Sequence, residues 1–171
     1  KGLYVPYWTF DARVHATWKA EAGYYYYVTE AVRGADGKRT ARQVRKIRWE
    51  PAAGAVEQMF DDELVGASCG VHAGLLARVE PFPTGDLVPY KAGFLSGWVV
   101  ERYQIDLAGA AQRARESMTR KITAQCAAAV PGDTHRFLQV DPSFSDQTFK
   151  HILVPVWLLQ YHYGKTPYQV V

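Results

Sequence analysis

The residues best suited to chemistry lie between Arg33 and Arg48. Arg33, Lys38, Arg39, Arg42, Arg45, Lys46 and Arg48 face one acid, Asp36. Seven cations on so short a segment can track a phosphate backbone, and Tyr24 to Tyr27 and Trp49 beside them are the ring types on which bases stack. Arg39, Arg42, Arg45, Lys46 and Arg48 are therefore the candidate nucleic-acid-binding set. In a strand, Arg42, Lys46 and Arg48 share one face and Arg39 and Arg45 the other. Charge on both faces describes a solvated ribbon or an edge, where cations also discourage aggregation through unpaired main chain.

Other constellations are weaker. Asp11 and His15 share a strand face, but four extended residues hold them about 13 Å apart, too far to form an acid/base pair alone. Asp61-Asp62-Glu63 offers carboxylates of the kind that hold a hard cation, yet it also suits an acidic turn at a strand end. Cys69 and His72 are close, but the remaining Cys126, His15, His135, His151 and His162 lack the paired spacing of a zinc site. Gly164-Lys165-Thr166 mimics the end of a phosphate loop; however, Leu159 stands where that loop needs glycine, and the segment reads as a hairpin. No G-x-S-x-G motif occurs. We expect no catalytic residues, no metal and no cofactor in this chain.

The chain has 171 residues, 48% of them hydrophobic, and a net charge of +3. That length sustains a core, and the mild charge does not by itself demand a nucleic-acid or lipid partner. Two cysteines make no disulfide framework and read as thiols of a cytoplasmic protein. No apolar run reaches membrane-spanning length. The chain starts abruptly at Lys1 and ends on Val170-Val171 within an apparent strand, which points to excision from a longer chain.

The elements that must position these residues are mostly strands. From Trp8 to Ala20 apolar and polar residues alternate strictly, which predicts a half-buried strand roughly 40 Å long. Ala22-Gly23 reads as a turn, and Tyr24 to Val32 as a second strand sending two tyrosine rings to each face. Ala35-Asp36-Gly37-Lys38 reads as a hairpin turn, Arg39 to Glu50 as a third strand, Pro51 to Gly54 as a turn, and Ala55 to Phe60 as a fourth strand. The first 67 residues thus describe an antiparallel meander. Val71 to Val79 has helical spacing. Ala92 to Ile105 favours strand. Asp106 caps a long helix running to Ala129, with Leu107, Ala110, Ala111, Ala114, Met118, Ile122, Cys126 and Ala129 as its apolar stripe and Pro131-Gly132 as its stop. Strands follow at Phe137 to Val140, Ile152 to Tyr163 and Tyr168 to Val171.

Lys1 to Trp8 aligns without a gap to Lys150 to Trp157, sharing V-P-x-W. Pro6 and Pro155 would mark edges or bends, and Trp8, Trp49 and Trp157 would anchor the structure, Trp8 and Trp157 at equivalent core positions. The expected fold is α+β: a long antiparallel sheet with this repeated motif, one long helix and a shorter one covering one face. We expect a single domain over 1–171, with two pseudo-symmetric lobes, 1–67 and 68–171, as the finer alternative.

Gly2 to Asp11, Arg48 to Gly54, Phe60 to Val65 and Lys150 to Trp157 together resemble a bacterial family of transcription-factor-IIB-type zinc-ribbon proteins, also labelled primosomal-protein-N′-like. The resemblance implies a cysteine zinc ribbon before this segment, the only place zinc is expected, and an Asn-Gly-x-Thr-Gly turn after it. No nucleotide-binding loop or helicase box accompanies it. The family's association with membrane-stress scaffold proteins implies an adaptor role. The reading is a non-enzymatic accessory or scaffold domain with a protein partner. A nucleic-acid-binding module using the basic hairpin 38–48 is the first alternative, and a hydrolase around Asp11, His15, Asp61 and Asp62 the second.

Overall fold

The computed structural model describes residues 2–33, 39–70, 73–76, 78, 80–163 and 166–170. Its elements are β1 (Gly2–Arg33), β2 (Arg39–Gly66), α1 (Ala73–Leu76), β3 (Val99–Val100), α2 (Leu107–Ala129), β4 (Thr134–Trp157), β5 (Leu159–Tyr163) and β6 (Thr166–Val170). The fold is α+β, with a mixed four-stranded sheet and one long helix.

Strand β1 is the common neighbour in the sheet. It pairs with β2, β3 and β4. Contacts along β2 run in descending order: the Pro6 carbonyl accepts from the Ala67 amide, Asp11 from the Asp62 amide, and Glu30 pairs with Lys46. On β4, Asp11 meets Thr148, Arg13 meets Asp146 and Glu21 meets Arg136. Both neighbours are therefore antiparallel to β1. The expectation of an antiparallel sheet fails at β3, which pairs parallel, Leu3 with Val99 and Tyr4 with Val100. β5 and β6 form a separate antiparallel pair.

The chain divides into two compact units, each discontinuous in sequence: Lys1–Arg13 with Met59–Met118 and Ser145–Val171, and Val14–Gln58 with Thr119–Phe144. In the first unit β1 is covered on both faces. Leu3, Val5 and Tyr7 join Leu76, Ile152 and Val156 in one apolar cluster, with Phe82, Leu64, Leu75, Val154 and Leu158 packed against it. On the opposite side chain parity Pro6, Phe10 and Ala12 are buried too. In the second unit, from Val14 to Ala22, the even positions Val14, Ala16, Trp18, Ala20 and Ala22 are buried, while His15, Thr17 and Lys19 are exposed.

Helix α2 closely follows the sequence. The Asp106 side chain accepts from the Gly109 amide at 2.8 Å, an N-cap satisfying one of the unpaired first-turn donors. Its buried stripe is Ala110, Ala114 and Met118 in the first unit and Ile122 and Cys126 in the second. Leu107 and Ala129 of the expected stripe are exposed, as fraying ends are. Ser117 donates to Glu63 and Arg115 to Gln147 in the first unit; Gln125 donates to Gln58 in the second.

The predicted four-strand meander is two long strands. Ala22-Gly23 and Pro51 to Gly54 do not turn the chain; each lies within a strand. The glycines serve clearance instead. A Cβ on Gly54 would stand 2.6 Å from the Trp18 indole, and one on Gly23 would stand 2.7 Å from both Trp49 and Thr134. Glycine thus lets a ring lie flat on the main chain. The expected Ala35 to Lys38 turn lies outside the described residues. Tyr24 and Tyr25 are half-buried while Tyr26 and Tyr27 are exposed, so the rings grade along the strand rather than alternating.

Further corrections follow the same logic. The shorter helix is only the four-residue α1; residues 71, 72, 77 and 79 of the expected span lie outside the described set. Ala92 to Ile105 holds a 3₁₀ turn, Ala92–Leu95, and the two-residue β3, rather than a strand. β4 runs unbroken through 141–150, where no strand was expected, because most of it is exposed and carries no apolar periodicity. Of the proposed anchors, Trp8 is half-buried and donates Nε1–H to the Ile105 carbonyl at 3.0 Å, whereas Trp157 is 64% exposed and packs on Trp98. Pro6 is buried but Pro155 is exposed. The two tryptophans are therefore not equivalent, although Leu3 and Ile152, aligned in the motif, meet in one cluster, as do Tyr7 and Val156.

Clearance at Gly54 is testable. Gly54→Ala should destabilise by about 1–3 kcal/mol through overpacking, read from urea unfolding. Trp18→Phe in that background should recover part of the loss, since the indole atoms in the way are gone. Equal stability of Gly54→Ala and the parent would contradict this role.

Candidate functional site

Two features in the structure carry concentrated chemistry, and they lie in different units. The first is an acidic knot in the first unit. Asp62, within β2, has φ 53°, the left-handed region that non-glycine residues enter at a cost. Its amide donates to Asp11 Oδ1 at 2.8 Å, while Asp11 Oδ2 accepts from the Thr148 hydroxyl at 2.7 Å. Lys150 Nζ stands 2.8 Å from Asp62 and 3.9 Å from Asp11. Burial works to raise the Asp62 pKa, but hydrogen bonds from Lys150 and Thr84, with the ammonium charge, outweigh it and hold the carboxyl below its ordinary value. The hydrogen bond to Asp62 likewise raises Lys150.

Asp11, Asp61 and Asp62 each bring one carboxylate oxygen within 4.8 Å of the others, a spacing that would suit a hard cation. Lys150 already supplies positive charge there, and both Asp11 oxygens accept hydrogen bonds. The arrangement is that of a clasp around the left-handed conformation of Asp62. His15, the fourth member of the expected hydrolase set, pairs instead with Glu57 at 3.8 Å in the second unit. Sequence reading missed Lys150, because nothing local marks it: it comes from β4, 88 positions from Asp62.

An aromatic cluster adjoins this knot in the same unit. His151 stacks on Trp8 at 4.4 Å between ring centroids and lies 3.7 Å from Tyr103. Burial lowers its pKa, which favours the neutral imidazole.

The second feature is the far end of the β1–β2 pair, in the second unit. The Asp133 amide donates to the Gly23 carbonyl, and the Tyr25 amide donates to Asp133 Oδ2 at 2.8 Å. β4 starts at Thr134, so β1 continues past it to Arg33 with only β2 alongside among the described residues. This two-stranded arm is exposed: Arg42, Arg45, Lys46 and Arg48 on β2, and Tyr26 and Tyr27 on β1. Arg39 lies at the start of β2, and its side chain falls outside the described residues. Arg45 sits over the Tyr25 ring at 4.4 Å and Arg48 over Tyr24 at 5.7 Å. At the base of the arm, Arg136 lies over Trp49 at 4.2 Å and Phe137 at 5.0 Å and pairs with Glu21. Trp49 is thus half-buried under an arginine, an arrangement compatible with its expected anchoring role. The long sequence separation between Arg136 and the arm hid it from the sequence reading.

No protein-family model matches the chain, and neither a curated protein nor a solved structure does. Cys69 and Cys126 are free thiols, the first exposed and the second buried. No described helix is long and apolar enough to cross a membrane.

The clasp predicts an acid-dependent stability. Asp62 has a folded-state pKa below its unfolded value, so its contribution is complete above the unfolded pKa of about 4 and fades as pH falls through the folded value. Asp62→Asn, which keeps a residue tolerant of positive φ, should cost about 0.5–1.5 kcal/mol near pH 7. That difference should shrink as pH falls below about 4. Asp62→Ala should cost about 1 kcal/mol more than Asp62→Asn, because alanine tolerates this φ poorly. Urea unfolding across pH checks both, and a pH-independent Asp62→Asn difference would contradict the clasp.

Proposed function

We propose that this chain is a non-enzymatic interaction domain, a packed sheet-and-helix body that presents the two-stranded basic arm to another macromolecule. The observation that carries this reading is the arm itself. It extends β1 past the start of β4 and exposes cations on β2 and tyrosines on β1. A two-stranded ribbon gains little stability alone. Its cost to the fold is better understood if the ribbon serves contact with a partner.

The acidic knot supports this reading rather than a hydrolase. Its Asp11 oxygens both accept hydrogen bonds and its Asp62 is paired with Lys150, so two of the three clustered carboxylates are already engaged, while Asp61 is exposed. In the setting implied by the resemblance to zinc-ribbon proteins, the domain would act as an adaptor following a ribbon that carries the zinc.

The test places a photo-crosslinking residue at Tyr26, at Tyr27 and, on the body, at Phe149 in the full-length protein inside the native cell. Adducts are expected from the arm positions, sensitive to protease or to nuclease. They should be lost when Arg42, Arg45 and Arg48 are changed to Gln. Adducts from Phe149 alone, or substrate turnover abolished by Asp11→Asn, would overturn the proposal.

A further inference from the structure

The partner of the arm can be specified further from its chemistry. Taking the arm as the working surface, we infer that it binds a single-stranded nucleic acid, with its arginines on the phosphates and its open tyrosine rings under the bases.

The charge pattern selects a polyanion. The segment 33–48 carries seven basic residues and one acid. Two nearby acids are already used: Glu30 pairs with Lys46 at 2.7 Å and Glu50 with Arg48 at 2.9 Å. None of the described ion pairs uses Arg42 or Arg45. An edge that needed only protection from aggregation would be served by scattered lysines. Here arginine predominates, and arginine binds phosphate with two N–H groups in one plane.

The rings select unpaired bases. Arg45 over Tyr25 and Arg48 over Tyr24 hold guanidinium planes against tyrosine faces, which orders the side chains before any ligand arrives. Arg136 between Trp49 and Phe137 continues the pattern at the base of the arm, and Phe137 is 71% exposed. Beyond these occupied rings, Tyr26 and Tyr27 are 46% and 64% exposed, and neither has a described arginine over it. Rings left open beside arginines form a stacking platform for splayed bases. A duplex keeps its base faces within its own stack and offers them nothing. An anionic lipid surface could use the cations but has no planar group for the rings.

The test is fluorescence anisotropy of the purified full-length protein with a labelled single strand of about 20 nucleotides, the corresponding duplex, and phosphatidylserine vesicles, across salt concentration. The single strand should bind tightest. Its log affinity should fall with log salt at a slope of about −2 to −3, roughly 0.7 for each phosphate engaged. Replacing Arg42 and Arg45 with Gln should weaken binding at least ~10-fold and flatten that slope. Tyr26→Ala with Tyr27→Ala should weaken the single strand ~10-fold and leave the slope unchanged. All four changes lie on exposed side chains, and circular dichroism of each variant checks the fold. No binding, tighter duplex or vesicle binding, or tyrosine variants that bind as well as the parent would overturn the inference. If the single strand fails while arm crosslinks persist as protease-sensitive adducts, the interaction domain stands and only its nucleic-acid partner falls.

Discussion

The main chain of β1 is the constraint on which the rest of this structure depends. It is hydrogen-bonded to β2, β3 and β4. Pairing the peptide groups on a strand of 32 residues commits its neighbours to their direction. The buried side chains then follow from what covers each stretch. In the first unit both parities are buried, Leu3, Val5, Tyr7 and Thr9 on one and Pro6, Phe10 and Ala12 on the other. In the second, from Val14 to Ala22, only the even parity is.

That difference explains where polarity is allowed. With one face uncovered, the odd positions of the second unit take His15, Thr17, Lys19 and the Glu21–Arg136 pair without desolvation cost. The first unit has no such freedom, and its polar groups are tied together. Asp62 enters a left-handed conformation within β2, and the clasp of Asp11, Thr148 and Lys150 holds it there. The strain at Asp62 and the charge arrangement around it are one device: the amide of the residue in the left-handed conformation is the one Asp11 accepts.

Legibility in the sequence tracked burial. α2 was readable to within a residue because its cap and its one-sided stripe are local signals that packing left intact. The alternation of β1 was readable for the same reason. β4 was not, because its central stretch owes its place to main-chain pairing with β1 and not to apolar side chains. Gly23 and Gly54 misled in the opposite direction. A glycine before a β-prone run looks like a turn, but here each makes room for an indole that arrives from a neighbouring strand. The basic residues of the arm were visible as composition; their stacking on Tyr24 and Tyr25, and the placement of Arg136 over Trp49, were not.

What the sequence by itself determined is the kind of chain this is: strand-rich, with one capped helix, a concentrated basic segment and no spacing that assembles a metal or catalytic set. These are properties of periodicity and composition, which act over a few residues. The tertiary structure decided which strands are continuous, that β3 runs parallel, that Lys150 meets Asp62, and that the end of the β1–β2 pair stands without a third strand. Each of those depends on residues far apart in the chain, brought together by main-chain pairing along β1.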